Sequence, residues 1–481
     1  ELADMLNIAG LGPKRVQTIY KELNVTTLDE LRHAAESGEI RKLHGLGEKT
    51  EQKIIDDLER SEQQEERTLL AVAEEMVEPL LDFLRGLDGV ERVQAAGSYR
   101  RKKETVGDLD ILAISDAGKE VISQFVDYED VEEIVSQGET RSTVVLHSGL
   151  QVDLRVVAEE SYGAAIVYFT GSKAHNIHLR NMALDKGLKI NEYGVFEGEE
   201  QIAGRKEKEI YNLFDLSVIA PELREDRGEI EAAQKGALPN LITLEDIRGD
   251  LQTHTTASDG RASLEEMAQA AQELGHDYFA ITDHSAYIGV TQGLDADELA
   301  ERIEEIERLN EEMEDIILLR SIEVDIMEDG SLDLPDDILS KLDLVVCAIH
   351  SKFDLSSEKQ TERIIRAMDN PHVNILAHPT GRRINDRDPI DVDIGRVMDA
   401  ALERGCFLEI NAQPKRLDLN DIYCKMAKER GLKLSISTDA HGTEELKFMR
   451  YGVYQAQRGW LEPDDVLNTR SWDELKNLLK Q

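Results

Sequence analysis

The run Gly97-Ser98-Tyr99-Arg100-Arg101-Lys102-Lys103-Glu104-Thr105-Val106-Gly107-Asp108-Leu109-Asp110-Ile111-Leu112-Ala113 joins a glycine-flanked basic loop to two carboxylates at strand spacing. Leu109, Ile111 and Leu112 mark a short strand. Residues two apart on a strand point the same way, so Asp108 and Asp110 share a face and can hold a hard cation between them. Mg²⁺ favours a few carboxylate oxygens plus substrate phosphates, and two such ions can clamp the attacking and leaving oxygens of an in-line displacement. A third carboxylate completes that pattern. Residues 143–157, TVVLHSGLQVDLRVV, run from apolar strand to polar turn to apolar strand and place Asp153 within reach. Gly97, Ser98 and Gly107 let backbone amides approach phosphate, and Arg101 supplies a planar fork for its oxygens. The combination points to nucleotidyl transfer.

At 481 residues the chain is long enough for several domains. Its 98 Asp and Glu against 56 Lys and Arg give a formal charge of −42, the wrong sign for a surface that neutralises phosphate everywhere. The acidic residues recur throughout, whereas basic groups stand where phosphate is expected: Lys14-Arg15, Arg100 to Lys103 and Arg382-Arg383. This distribution predicts a salt-adapted protein, as from a halophile, rather than an ordinary acidic cytosolic enzyme. Strong salt screens long-range repulsion from a polyanion and leaves short-range contacts intact. Cys347, Cys406 and Cys424 lack CxxC spacing and read as buried free thiols in a reducing compartment. With no apolar stretch of membrane length and no signal pattern, a soluble cytoplasmic protein without membrane contact is expected. The chain opens on Glu1 within a helical segment and reads as a fragment.

Near the N-terminus a unit repeats: Gly10-Leu11-Gly12 with Lys14, and Gly45-Leu46-Gly47 with Lys49, each ahead of a helix. Amides at a helix N-terminus beside a lysine suit a backbone phosphate. Between Glu65 and Leu87 apolar residues recur at helical spacing, which gives a packing helix ahead of the central run. Residues 168–172, Tyr-Phe-Thr-Gly-Ser, read as a tight turn before a helix carrying His175, Asn176, His178 and Arg180, with both histidines exposed. From Arg248 short apolar strands alternate with longer helices, the strands ending near Leu251, Ile281, Ile322, Ala348, Ala377, Ile410 and Ser437. His254 and Asp259, Asp283-His284, Glu323, His350, His378, and Asp439 with His441 follow almost every one. Loops after the strands of a β/α barrel gather at one face, so these groups are expected to converge. Imidazole with carboxylate suits Zn²⁺, Mn²⁺ or Fe²⁺.

GSYRRKKETVGDLDIL, followed by VDLRVV and YFTGSKAHNIHLRNMALDKGLKINEYG, resembles the palm and thumb of the family X DNA polymerases, the group of DNA polymerase beta. The resemblance implies that Asp108, Asp110 and Asp153 bind catalytic Mg²⁺ or Mn²⁺, with Asp153 nearest the primer 3′-hydroxyl. It implies that Ser98, Arg101 and Gly107 hold the triphosphate of a deoxynucleotide, and that Tyr168, Phe169 and Gly171 line its pocket. Asn176 would contact the base minor groove and Arg180 the template, checking pair geometry without reading sequence. The repeated unit resembles the helix-hairpin-helix, with Gly10, Gly12, Lys14, Gly45, Gly47 and Lys49 gripping DNA. Relatives place a small helical domain ahead of it, absent here, so no lyase activity is assigned.

QTHTTASDG, ITDHS, IEVDI, AIHS, LAHPTGR, EINAQP and STDAH resemble the polymerase and histidinol phosphatase (PHP) domain, a distorted seven-stranded barrel with a trinuclear metal centre. This implies His254, Asp259, His284, Glu323, His350, His378, Asp439 and His441 as ligands for up to three Mn²⁺, Zn²⁺ or Fe²⁺ ions. The usual first histidine is Gln252 here, a weaker neutral ligand that leaves one position in doubt. Such a centre beside Arg382 and Arg383 would hydrolyse phosphoesters, as a 3′–5′ exonuclease, 3′-phosphatase or abasic-site endonuclease. The expected architecture is a multidomain α+β and α/β chain: helix-hairpin-helix fingers (1–65), nucleotidyltransferase palm (66–160), thumb (161–224), linker (225–247) and a (β/α)₇ PHP barrel (248–481). The expected function is gap-filling DNA repair by a monomer on gapped or primer-template DNA. The alternatives are an end-processing nuclease or a scaffold with an inactive palm.

Overall fold

Two units divide the chain, Glu1–Arg67 and Thr68–Gln481. The computed structural model describes residues 13–23, 25, 28–43, 46–47, 50–51, 54–55, 67–287 and 293–480. In the first unit, helices Pro13–Leu23 and Leu28–Glu36 bury Val16, Ile19, Leu31 and Ala35 against Ile40, Leu46 and Ile54. The Gly47 carbonyl accepts the Thr50 and Glu51 N–H groups at 2.8 and 3.0 Å, starting a helix where the repeat expects one. Gly10, Gly12, Gly45, Lys49 and the side chain of Lys14 lie outside the described residues.

The second unit begins with strands β1 (Thr68–Leu69), β2 (Arg92–Ala95), β3 (Thr105–Val106), β4 (Asp108–Ile114), β5 (Val131–Gln137), β6 (Arg141–Leu146) and β7 (Gln151–Val157). β1 pairs with β3, and the rest form one sheet in the order β2-β4-β7-β6-β5, parallel between β4 and β7 and antiparallel elsewhere. Strict alternation decides what each face of β4 does. Leu109, Ile111 and Ala113 enter a core shared with helices Leu70–Arg85 and Gly118–Val126. On the other face Leu112 and Ile114 pack with Tyr162, Ala165 and Ile166 of helix Tyr162–Thr170, leaving Asp108 and Asp110 at the strand's beginning.

Two sequence readings are corrected beyond the palm. Tyr168 and Phe169 end helix Tyr162–Thr170 rather than forming a turn, because the apolar run Gly163 to Val167 is buried and carries the helix through them. The turn is Gly171-Ser172, and Ser172 caps helix Lys173–Asp185 by accepting the His175 N–H at 3.3 Å. His175 is not exposed: its ring is buried between Glu229 Oε1 at 2.7 Å and the Tyr211 hydroxyl at 3.0 Å. A small sheet of β8 (Lys189–Asn191), β9 (Gly194–Glu197) and β10 (Glu200–Ala203) follows.

Seven parallel strands then pair in sequence: β11 (Gly249–Asp250), β12 (Tyr278–Ile281), β13 (Ile317–Asp325), β14 (Leu344–Ala348), β15 (Ile375–Leu376), β16 (Phe407–Asn411) and β17 (Leu434–Ser437). A parallel bridge from Thr253 to Ala440 closes the ring, with His254 N–H donating to Ala440 O at 2.8 Å and Asp439 N–H to Gln252 O at 3.0 Å. β13 runs past its expected end, so Glu323 sits inside the strand rather than after it. Cys347, Cys406 and Cys424 are buried free thiols, and among the described residues no helix is long and apolar enough to cross a membrane.

Residues 225–247 are folded onto the barrel: Ile242 N–H donates to Leu461 O at 3.0 Å and Arg227 pairs with Asp421 at 2.9 Å. Leu417 and Tyr451 of the barrel stand in the same hydrophobic cluster as Leu109 and Ile111. Palm and barrel thus bury one continuous surface. Leu417→Ala is expected to cost about 2–4 kcal/mol and to speed hydrogen–deuterium exchange in β4 as well as in helix Met449–Arg458. Exchange that quickens in the barrel alone would contradict a shared core.

Candidate active sites

Parallel pairing of β4 with β7 sets Asp110 opposite Asp153 and Asp108 opposite Gln151, so the three carboxylates share one face. Neutral donors fix Asp153: Thr143 Oγ1 gives Oδ1 a hydrogen bond of 2.6 Å and Gln151 Nε2 gives Oδ2 one of 3.0 Å. Arg155, two residues on, stacks over the Phe169 ring at 4.4 Å. Burial, then the charges of Asp108 and Asp153, push the Asp110 carboxyl up to about 7, and Arg155 and Arg101 offset only part of this. Anionic oxygens brought to one face with only partial compensation are the kind of donors that could hold a divalent cation.

The phosphate-loop residues gather beside this triad. Gly97 has φ +60°, and a Cβ there would lie 3.0 Å from Asp110 Oδ2, so both backbone conformation and space call for glycine. Ser98 Oγ is buried without a hydrogen-bond partner, and Gly107 directly precedes β4. The Arg101 guanidinium donates through Nε to Glu225 Oε1 at 3.0 Å and through Nη1 to the Thr170 carbonyl, beside Gly171. Asn176 Nδ2 donates to the Tyr168 carbonyl at 2.6 Å, and Arg180 is exposed on the same helix.

All eight candidate barrel ligands meet. Glu323 is the hub: Oε2 lies 3.2 Å from His284 Nδ1 and 3.4 Å from His254 Nε2, and Oε1 lies 3.1 Å from His378 Nε2 and 3.4 Å from His350 Nε2. His254 Nε2 is 3.1 Å from Asp439 Oδ1, and Asp259 Oδ1 reaches His441 Nε2 at 3.3 Å and His284 Nε2 at 3.6 Å. Two subsets could each hold an ion, His254 with Asp259, His284 and His441, and His284 with Glu323 and His350. Asp259 and His441 are the more open members, at 34 and 24% side-chain exposure, and mark the mouth.

Orphaned polar atoms test the fit. Both ring nitrogens of His254, Nδ1 of His284 and of His378, and Glu323 Oε2 are buried without a well-aligned hydrogen bond, although carboxylate and imidazole face each other at 3.1–3.4 Å around His254, His284 and Glu323, an arrangement that a bound cation would relieve. Both amide atoms of Gln252 share that condition. These groups fit divalent cations. The electrostatics agree: burial opposes charge on His350, but Glu323 and Asp325 override it and push the ring up to about 10, while burial holds His284 and His378 down at about 4.

Sequence reasoning overlooked the groups that hold the candidate ligands. Asp325 Oδ1 contacts His350 Nδ1 at 3.0 Å, Glu409 accepts the His378 N–H at 2.7 Å, and Asn411 Nδ2 donates to Asp439 at 3.0 Å. Alternation could have found them, since Asp325 follows Glu323, and Asn411 follows Glu409, by two. Arg382 is also corrected. Rather than serving the barrel mouth it forks onto Glu104 of the basic loop at 3.1 and 2.6 Å, because that partly buried carboxylate is its partner across the shared core. Arg383 pairs with Asp386 at 3.1 Å.

Family models match in three places: the SAM-like helix-hairpin-helix tandem over residues 2–60, the DNA polymerase beta thumb over 165–225 and the PHP domain over 250–412. A Bacillus subtilis protein named "DNA polymerase/3'-5' exonuclease PolX" is 39% identical over 484 residues, covering 100% of this chain and 85% of that protein. A "Probable phosphatase" of Thermoanaerobacter sp. is 34% identical over 244 residues, 48% of this chain and 94% of its own length. Another, of Caldanaerobacter subterraneus, is 31% identical over 252 residues, 48% of this chain and 91% of its own.

The Asp110 environment has a thermodynamic signature. Its folded carboxyl titrates at about 7, against 3.8 for an unperturbed one, so between those values the folded state keeps a proton that the unfolded chain has lost. Stability therefore falls as pH rises across that window, with the full penalty above it. Metal-free Asp110→Asn is expected to exceed metal-free wild type at pH ~8 by on the order of 2–4 kcal/mol, the gain vanishing at pH ~4. Urea unfolding across pH checks this, and equal stability at both pH values would contradict it.

Proposed function

The chain belongs to the PolX group of family X DNA polymerases, and from that premise we infer a DNA polymerase with 3′–5′ exonuclease activity that uses the palm carboxylates for synthesis and the barrel mouth for hydrolysis. The observation that carries this reading is the register of β4 against β7, which gathers Asp108, Asp110 and Asp153 with the negative charge only partly balanced.

Oxygen-only donors in the palm suit Mg²⁺ or Mn²⁺, and mixed imidazole and carboxylate donors in the barrel suit Mn²⁺, Zn²⁺ or Fe²⁺. When bound, such ions supply Lewis-acid polarisation of phosphate oxygens. Asp153, held by Thr143 and Gln151, lies nearest the primer 3′-hydroxyl in this reading. Ser98 Oγ, the amides around Gly97 and Gly107, and the Arg101 fork orient the deoxynucleotide triphosphate. Tyr168, Phe169 and Gly171 bound its sugar, Asn176 reaches the minor groove and Arg180 the template. The glycine turns of the first unit grip the DNA backbone. In the barrel, His254, His284, Glu323, His350, His378, Asp439, His441 and Asp259 would hold the ions, with Gln252 Oε1 as a further neutral donor, and the substrate group there is a 3′-terminal phosphodiester. The substrate is gapped or primer-template DNA in the cytoplasm, and the formal charge of −42 fits synthesis in concentrated salt.

Primer extension and 3′-end degradation in salt on the order of 1 M test the assignment. Asp110→Ala is expected to abolish extension and spare degradation, and His284→Ala to do the reverse. Extension surviving Asp110→Ala would refute the palm reading.

A further inference from the structure

The basic loop between Gly97 and Gly107 is held from behind by the barrel. Helix Met449–Arg458 sends it a row of side chains. Arg458 Nη1 donates to the Arg101 carbonyl at 2.8 Å and to Glu225 Oε1 at 3.2 Å, and that same oxygen receives Arg101 Nε at 3.0 Å. Gln455 Nε2 donates to Glu104 Oε2 at 3.1 Å, and the Tyr454 ring lies 4.5 Å from the Lys102 ammonium. Tyr451 donates to Glu74 Oε2 at 2.9 Å, while the other Glu74 oxygen takes Lys102 Nζ at 3.2 Å.

Among these contacts the Arg458 relay alone reaches a group assigned to the nucleotide. The Arg458 side chain is 2% exposed, Glu225 12% and Arg101 11%, so the pairs are poorly screened and fixed in geometry. Arg458 Nη2 is anchored separately on Asp421 Oδ2 at 2.6 Å, and Arg227 holds the same oxygen at 2.9 Å. Arg458 therefore has a rigid footing independent of the loop. Without it, the Arg101 backbone loses a donor on its carbonyl, and Glu225 loses the group that fixes which way its carboxylate faces Arg101.

We propose that Arg458 is a positioning residue for DNA synthesis: from the barrel it fixes the Arg101 backbone and, through Glu225, aims the Arg101 guanidinium at the triphosphate of the incoming nucleotide. The barrel is then part of the nucleotide site as well as the seat of a second reaction. This rests on the reading of Arg101 as a triphosphate ligand.

Single-turnover gap filling by the whole chain tests it, with 3′-end degradation measured on the same preparations. Arg458→Met is expected to weaken dNTP affinity about tenfold, to change the maximal rate less than about threefold and to leave degradation unaltered. Arg458→Lys, which keeps a cationic donor for Glu225, is expected to recover most of the affinity. Unchanged dNTP affinity in Arg458→Met with degradation intact overturns the proposal, as does a loss confined to the maximal rate. Should Arg458→Met lose degradation too, the sign of a misfolded barrel, Glu225→Ala decides: weakened dNTP affinity at near-normal maximal rate upholds the relay, and unchanged affinity overturns it. Failure of the underlying reading looks different, since Arg101→Ala would then leave dNTP affinity untouched.

Discussion

Three carboxylates set on one face of the sheet by the pairing of β4 with β7 are the constraint around which the rest of the second unit is arranged. Burial first, and then repulsion from Asp108 and Asp153, pushes the Asp110 carboxyl up to about 7. The fold tolerates this because Leu109, Ile111, Val152 and Leu154, alternating with the acids on the same two strands, are fully buried on the opposite face. Each buried aliphatic side chain contributes roughly 1.5–3 kcal/mol, enough to hold the acids in register.

The barrel solves the same problem with different chemistry. Its acids are interleaved with imidazoles: against the cost of burial, Glu323 and Asp325 push His350 up, and Asp259 and Asp439 push His441 up. In the palm, Arg155 and Arg101 offset only part of the shift on Asp110. The palm acids and Glu323 sit on strands, where backbone pairing sets their geometry, while the other barrel candidates stand in the segments that follow the strands. The core common to Leu417, Tyr451 and the palm strands binds them mechanically, and the contacts of Arg382 with Glu104 and of Arg458 with Glu225 bind them electrostatically.

Much of this was legible in the chain itself. Alternation around Asp108, Asp110 and Asp153 is a local property, and strand periodicity translates directly into a shared face. The meeting of the eight barrel candidates was legible because all but Asp259 lie at or just beyond an apolar strand, and parallel β/α topology collects such positions at one end. Residues whose role depends on partners far away in sequence could not be read. Arg382 stands beside a metal-type motif yet turns to Glu104, 278 residues earlier. His175 sits in a polar helical segment yet is buried by Glu229 and Tyr211. Tyr168 and Phe169 look like turn residues because glycine and serine follow them, but burial of the preceding apolar run extends the helix. Local pattern fixes which face a residue is on, and only tertiary packing decides what it meets there.

The central claim is that one chain holds two separate cation centres, built on unlike donors. Anomalous diffraction from crystals grown with Mn²⁺ and gapped DNA tests it most directly. The account predicts one group of peaks among Asp108, Asp110 and Asp153 and a second around Glu323, His254, His284 and His350. Peaks confined to one centre at saturating Mn²⁺, or lying away from these residues, would contradict it.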